Sequence, residues 1–265
     1  MTKQPPRALF PWWLWLLPPG LLLAGAPLWL HRWEPAIFLA INAACAPVAA
    51  GVWAGLSLLG NGWGALGATS PLLVLSPRLM WAWMCAAPFA IVFARAGKWL
   101  IASPRPAAEL DPLQMRVVGE VIHSVSMPSG HTTTAFAVAS AIFLALTPAQ
   151  RRRHWWLLVL AAGTGLSRIA VGAHWPGDVW VGMALGLLAG MLGNVLLAAM
   201  EPRHFVAQSA RLRALAVLVG VAVVVLLTEV QDFAENQPLQ VLLALVAAAS
   251  LLVFAIRSAR ALKAP

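Results

Sequence analysis

Three short stretches hold the residues of this chain whose types and spacing could do chemistry: Lys98-x6-Arg105-Pro106, Pro128-Ser129-Gly130-His131, and Ser167-Arg168-x5-His174-x3-Asp178. Between them they carry three cations, two imidazoles and one carboxylate. Arginine's planar fork suits two phosphate oxygens at once, and lysine adds a mobile point charge. Asp178 follows His174 by four residues across Trp175-Pro176-Gly177, a turn leading into a helix start. From there its carboxylate can accept from Nδ1–H of His174 and leave Nε2 with a free lone pair, the form of histidine that attacks phosphorus. Ser129 or a neighbour can cap the helix that follows, and Gly130 permits close backbone approach to a ligand. The unpartnered N–H groups at that helix start favour an anion. His131, at the same place, can give a proton to a leaving oxygen. The inventory is that of phosphate binding with phosphoryl transfer through a histidine.

These residues border apolar segments. The chain has 265 residues, 61% apolar and 10% charged, against roughly 25% charged in a soluble domain. Repeated apolar runs of about 20 residues predict a polytopic α-helical membrane protein, all-α, and exclude a β-barrel with its spans of about 10 alternating residues. Crossings are expected near 11–30, 54–77, 79–97, 131–148, 154–172, 178–199, 213–228 and 239–256. The first is read as a retained span, because it is too long for a signal-peptide core and is interrupted by Pro18-Pro19-Gly20. A membrane setting also sharpens the meaning of the cations. One lysine or arginine at a bilayer edge ordinarily snorkels, but three beside two histidines call for a polar partner, since burying each charge costs roughly 2.5–3.5 kcal/mol.

Glycine-rich 36–77 is too long for one span and barely long enough for two. A single crossing there puts Lys3, Arg7, Arg78, Arg151–Arg153, Arg203, Arg211, Arg213, Arg257, Arg260 and Lys263 on the cytoplasmic side, as the positive-inside bias requires. Both termini are then cytoplasmic, 36–52 lies along the outer interface, and the three stretches open on the periplasmic or extracellular face of the inner or plasma membrane. The net charge of +9 is scattered over short loops, which speaks for orientation in a bilayer and against a nucleic-acid surface. Cys45 and Cys85 have neither disulfide nor metal-ligand spacing. Fourteen tryptophans occur; Trp12, Trp13, Trp15, Trp155 and Trp156 fall near span ends, as interfacial anchors do. Glu109, Asp111, Arg116 and Glu120 read as solvated loop residues, and His123 has no assigned role.

The three stretches resemble the signature motifs of the type 2 phosphatidic acid phosphatase superfamily, which includes lipid phosphate phosphatases and vanadium haloperoxidases. Lysine, arginine and proline match in the first, all four residues in the second, and serine, arginine, histidine and aspartate in the third; Met127 stands where an aromatic often precedes the second. The resemblance implies a six-span core within residues 1–200, with 201–265 adding two C-terminal helices and a basic tail that carry no assigned chemistry. It implies that His174 attacks phosphorus to form a phosphohistidine, oriented by Asp178. His131 would protonate the leaving group and then activate water. Lys98, Arg105 and Arg168 would bind phosphoryl oxygens, assisted by Ser129 and Gly130, with Ser167 as a contact or support. The cations do the charge neutralisation that Mg²⁺ performs elsewhere, and the motifs lack an acidic cluster suited to Mg²⁺, so neither metal nor cofactor is expected. The partner is a membrane lipid carrying a phosphate or diphosphate: undecaprenyl diphosphate, phosphatidylglycerophosphate, phosphatidic acid or a lipid A phosphate. Alternatives are a lipid phosphotransferase and a non-catalytic lipid transporter. A haloperoxidase is disfavoured by the membrane spans.

Overall fold

A computed structural model of the protein describes residues 9–30 and 34–263, and the structural statements that follow concern those residues. Lys3, Arg7, His31 and Arg32 lie outside them. Every regular element is helical. Four segments are long and apolar enough to cross a membrane: Pro77–Glu109, Pro176–Ala198, Pro202–Thr228 and Ala234–Ala261.

The chain begins with a 3₁₀ turn, Trp12–Leu16, and two short helices, α1 (Leu17–Ala24) and α2 (Ala26–Trp29). Pro18 and Pro19 fall in the first turn of α1, where a missing N–H costs nothing. Helix α3 (Glu34–Ala44) covers part of the expected interfacial stretch. It docks on the protein: buried Phe38 meets the Trp175 indole edge-on at 5.2 Å, and the Asn42 amide donates to the carbonyls of Ile169 and Ala170.

The expected crossing at 54–77 is not one helix. It divides into α4 (Ala50–Leu58), α5 (Gly62–Thr69) and α6 (Leu72–Leu75). The first break has a packing cause. A Cβ at Gly60 would sit 2.6 Å from the backbone oxygen of His131, so the chain passes against the site there without a side chain. Asn61 then restarts the helix, its side-chain oxygen accepting from Trp63 N–H at 2.9 Å.

Helix α7 (Pro77–Ile101) ends where Ala102 turns left-handed. The connection to the next long helix contains α8 (Pro106–Glu109) and a 3₁₀ turn, Pro112–Gln114. Ser126 N–H to the Ser103 carbonyl (2.9 Å) and Met127 N–H to the Ser103 hydroxyl (3.1 Å) fasten its two ends together. Arg116 is an anchor here and not the solvated loop residue expected: its guanidinium donates to the carbonyls of Cys45, Ala46 and Val48 at 3.0–3.2 Å.

Helices α9 (Gly130–Ala145) and α12 (Pro176–Ala198) pack with α7 and with each other, and α11 (Trp156–Ala170), entered through the short α10 (Pro148–Arg151), packs on α9, α4 and α12. Gly182, Gly186 and Gly190 form a seam along α12, against which α9 lies so closely that any Cβ would strike it. The C-terminal pair, α13 (Ala210–Thr228) and α14 (Gln237–Lys263), packs on α5 and α6. Leu226, Leu243 and Ala244 bury Leu58 between them. At the end of the bundle opposite the three stretches, Arg78 donates to the Ala145 carbonyl and Arg257 to that of Val74, both at 3.0 Å.

Candidate active site

The three stretches converge at one end of the bundle, because the chain reverses direction between α7, α9, α11 and α12. Gly172 makes the tightest reversal, the turn out of α11. Its φ of +78° favours glycine, and a Cβ there would stand 2.7 Å from the Arg116 carbonyl oxygen. His174 and Asp178 follow, at 2% and 0% exposure.

Asp178 Oδ2 collects three donors: His174 Nδ1 at 3.1 Å, Trp175 N–H at 2.9 Å, and the hydroxyl of Ser126. On the other side of the imidazole, Arg105 NH1 lies 3.2 Å from Nε2. A guanidinium has no lone pair to offer, so Nε2 is the acceptor and the ring proton is on Nδ1, facing the carboxylate. Burial, then the positive charges of Arg105, Arg168, Lys98 and His131, hold His174 well below its ordinary value. The ring is therefore neutral at physiological pH with its Nε2 lone pair directed at cations, the state a nucleophile needs.

Two of the three cations are held by backbone oxygens. Lys98, in the last turn of α7, donates to the carbonyls of Val125 (2.7 Å) and Ser126 (3.1 Å). Arg105 donates to those of Ser124 (3.1 Å) and Ala173 (2.7 Å). Arg168, 3% exposed, donates to the Ser57 hydroxyl, and its guanidinium carbon lies 5.6 Å from the Phe233 ring centroid. Its Nε is buried with no acceptor. A buried charged donor left in this condition asks for an oxygen that the protein does not provide.

Ser129 caps α9, its hydroxyl accepting from Thr132 Oγ1 at 2.9 Å, and its N–H donates to the Asp178 carbonyl at 3.0 Å. That N–H is therefore engaged, leaving those of Gly130 and His131 at the helix mouth, where no carbonyl of the helix reaches them. The Ser167 hydroxyl donates to the Thr164 carbonyl one turn back, at 2.7 Å, which is a supporting position. His131 lies within electrostatic reach of His174, Arg105 and Arg168. His123 is exposed. Among the described residues no group of three His, Cys, Asp or Glu side chains could hold a metal ion.

Sequence reasoning passed over Ser126, Asn61 and Asp232. Asp232 Oδ2 accepts from His131 Nε2 at 3.0 Å and from the Asn61 amide at 3.2 Å. Ser126 lies two residues before a recognisable motif, which was its only signal. Asp232 could have been noticed as a carboxylate in the short loop between the last two spans, at the end of the bundle where the motifs gather.

The site is thus a buried, cation-lined histidine–aspartate pair at the rim of an apolar helical bundle, an arrangement suited to an anion. Among known proteins, residues 78–199 match the PAP2 superfamily. It is 44% identical over 71 residues to a lipid A 1-phosphatase of Porphyromonas gingivalis, covering 26% of this chain and 15% of that one. It is 37% identical over 67 residues to the undecaprenyl-diphosphatase BcrC of Bacillus subtilis, covering 25% and 33%. The chain thus spans a third or less of the length of these two relatives. Its fold is similar to the crystal structure of Aquifex aeolicus LpxE, with a TM-score of 0.55 and 25% identity, over 61% of this chain and 94% of that one.

Proposed function

We propose that the chain is an integral-membrane phosphatase for a lipid phosphate or diphosphate, working through a phosphohistidine at His174. The observation that carries this reading is the surroundings of His174 Nε2. Its lone pair faces Arg105, while Asp178 holds the opposite nitrogen and Arg168 stands nearby with an unsatisfied donor. A phosphoryl group bound there supplies the missing acceptor and offsets the excess of positive charge.

In the first step Nε2 attacks phosphorus and the bond from phosphorus to the leaving oxygen breaks. His131 gives that oxygen a proton. In the second step water attacks the phosphohistidine, passes a proton to His131, and the P–N bond breaks to release inorganic phosphate. Lys98, Arg105 and Arg168 neutralise the phosphoryl oxygens in both steps, with the Gly130 and His131 N–H groups at the helix mouth. Asp178 offsets the charge that forms on His174.

A lipid substrate is supported by an apolar cavity of about 380 Å³ between α5, α6, α9 and α11, reaching from Leu59 and Thr164 toward Trp156 and His154. The motif residues do not line it, but Leu59 at one end adjoins Gly60, which packs on His131, and its apolar walls suit an acyl or prenyl tail. Lipid A phosphates and undecaprenyl diphosphate come first among the candidates, a choice supported by the names of two relatives. The basic end of the bundle supports a cytoplasmic position for that end and an outward-facing site.

The test is phosphate release by detergent-purified protein from a panel of lipid phosphates and diphosphates, with EDTA present. Wild type is expected to release phosphate and to trap label on His174 as an acid-labile adduct. His174→Ala is expected to do neither. Undiminished release by His174→Ala overturns the mechanism, and loss of activity in EDTA overturns its independence of metal. Label passing to a second lipid in place of water identifies a phosphotransferase.

A further inference from the structure

The two C-terminal helices do more than complete the bundle. The loop joining α13 to α14 reaches back over the site and places Asp232 on His131 Nε2 at 3.0 Å, across 101 residues of chain. The loop is built to stay there. Gln240, 2% exposed, accepts from Gln231 N–H at 3.1 Å and donates to the carbonyls of Glu229 (2.7 Å) and Leu226 (3.2 Å). Asn236, also buried, donates to the Gln231 carbonyl at 3.0 Å. Phe233 is buried in the cluster of Trp53, Ala54, Val118 and Val171, with Arg168 over its ring. Between these fastenings Asp232 adopts φ +60°, a left-handed conformation that aspartate tolerates better than most residues. Asn61, at the break between α4 and α5, donates to the same carboxylate oxygen at 3.2 Å. The α13–α14 loop, the α4–α5 break and the start of α9 thus meet at one carboxylate.

We propose that Asp232 is the positioning residue of His131, a second histidine–aspartate pair that serves the proton-transfer side of the reaction. The inference rests on the proposed function and extends it to a part of the chain beyond the matched domain. A protonated His131 faces Asp232, Arg168, Arg105 and His174. Two of these neighbours are permanent cations, and Asp232 is the carboxylate that offsets them. Burial raises the Asp232 pKa, but the hydrogen bond and charge of His131, with Arg168 and Asn61, outweigh it and leave the group below its ordinary value. Asp232 stays ionised through both steps, and the proton moves only between His131 and the leaving oxygen or water.

The test compares kcat/KM, which covers the steps through the first P–O cleavage, for an alkyl lipid phosphate and for p-nitrophenyl phosphate. An alkoxide needs a proton to leave; a nitrophenolate does not. With full-length Asp232→Asn in detergent, kcat/KM for the alkyl ester is expected to fall about 100-fold, the low end of general-acid contributions. The aryl ester is expected to stay within about threefold. Asp232→Glu should restore most of the alkyl activity. Equal losses on both substrates, or no loss on either, overturn the proposal. If Asp232→Asn gives no cooperative melt, Asp232→Ser is read against the same ratio. Activity surviving His174→Ala refutes the phosphohistidine reading itself, whereas a dead His174→Ala with an unselective Asp232→Asn refutes only the role of Asp232.

Discussion

Replacing Ser126 by alanine removes one hydroxyl and tests whether the Asp178 cluster acts as a unit. The hydroxyl donates to the same Asp178 oxygen that receives His174 Nδ1 (3.1 Å) and Trp175 N–H (2.9 Å). A hydrogen bond to a charged group contributes about 1.5–3 kcal/mol. Two donors remain on the oxygen after the change, so no acceptor is orphaned and the lower figure applies. Expressed wholly in the transition state, about 1.4 kcal/mol is a tenfold loss of rate. The Ser126 backbone should hold its place, because its N–H is bonded to the Ser103 carbonyl and its own carbonyl accepts Lys98. Phosphate binding is therefore untouched. The expectation is a kcat about tenfold lower with KM within about twofold, measured as phosphate release from a lipid phosphate in mixed micelles. A kcat within twofold of wild type would show that the third donor does nothing for His174. A loss as deep as that of His174→Ala would show that the hydroxyl itself takes part in bond making. Either result refutes the reasoning.

Two further outcomes follow from the geometry. His174 is active when neutral and its value is depressed, so the acid limb of kcat/KM that it governs should lie below the ordinary histidine value of about 6.5. The unfolded chain takes up a proton near that pH while folded His174 does not, so its contribution to stability is full above about 6.5 and declines as the pH falls. An acid limb at or above 6.5 contradicts this assignment. Separately, Gly190→Val should lower the melting temperature in detergent, with overpacking costing about 1–3 kcal/mol. Its Cβ would stand 2.8 Å from the backbone nitrogen of Ala141, which cannot rotate aside; an unchanged melt contradicts the close seam.

The parts of the site legible in the sequence are those that lipid makes conspicuous. Lys98, Arg105, Arg168, His131, His174 and Asp178 stand out because few charged or titratable groups sit at span ends, and each needs a reason to be there. The long apolar runs likewise mark α7 and α12 to within a few residues, Pro77–Ile101 and Pro176–Ala198 against 79–97 and 178–199. Hydropathy could not resolve 54–77. The breaks after α4 and α5 bring no charged residue into the run, and the cause of the first is the approach of His131, a residue far away in sequence. Ser126, Asn61 and Asp232 were only faintly marked for a related reason. Each is an ordinary polar residue in its local setting, and only the folded chain brings Asp232 to a histidine 101 positions earlier. Arg116 failed differently: a loop arginine looks solvated until the carbonyls of a distant turn are seen around it.

The glycine seam between α9 and α12 also limits how the molecule can move. One helix begins at His131 and the other just after His174, and their starts are tied together by Ser129 N–H on the Asp178 carbonyl. With no side chain on α12 at Gly182, Gly186 and Gly190 to hold the backbones apart, the pair packs as one close unit. In the proposed reaction, any opening for a headgroup then falls to the surrounding parts, the interrupted α4–α5 segment and the loop that carries Asp232.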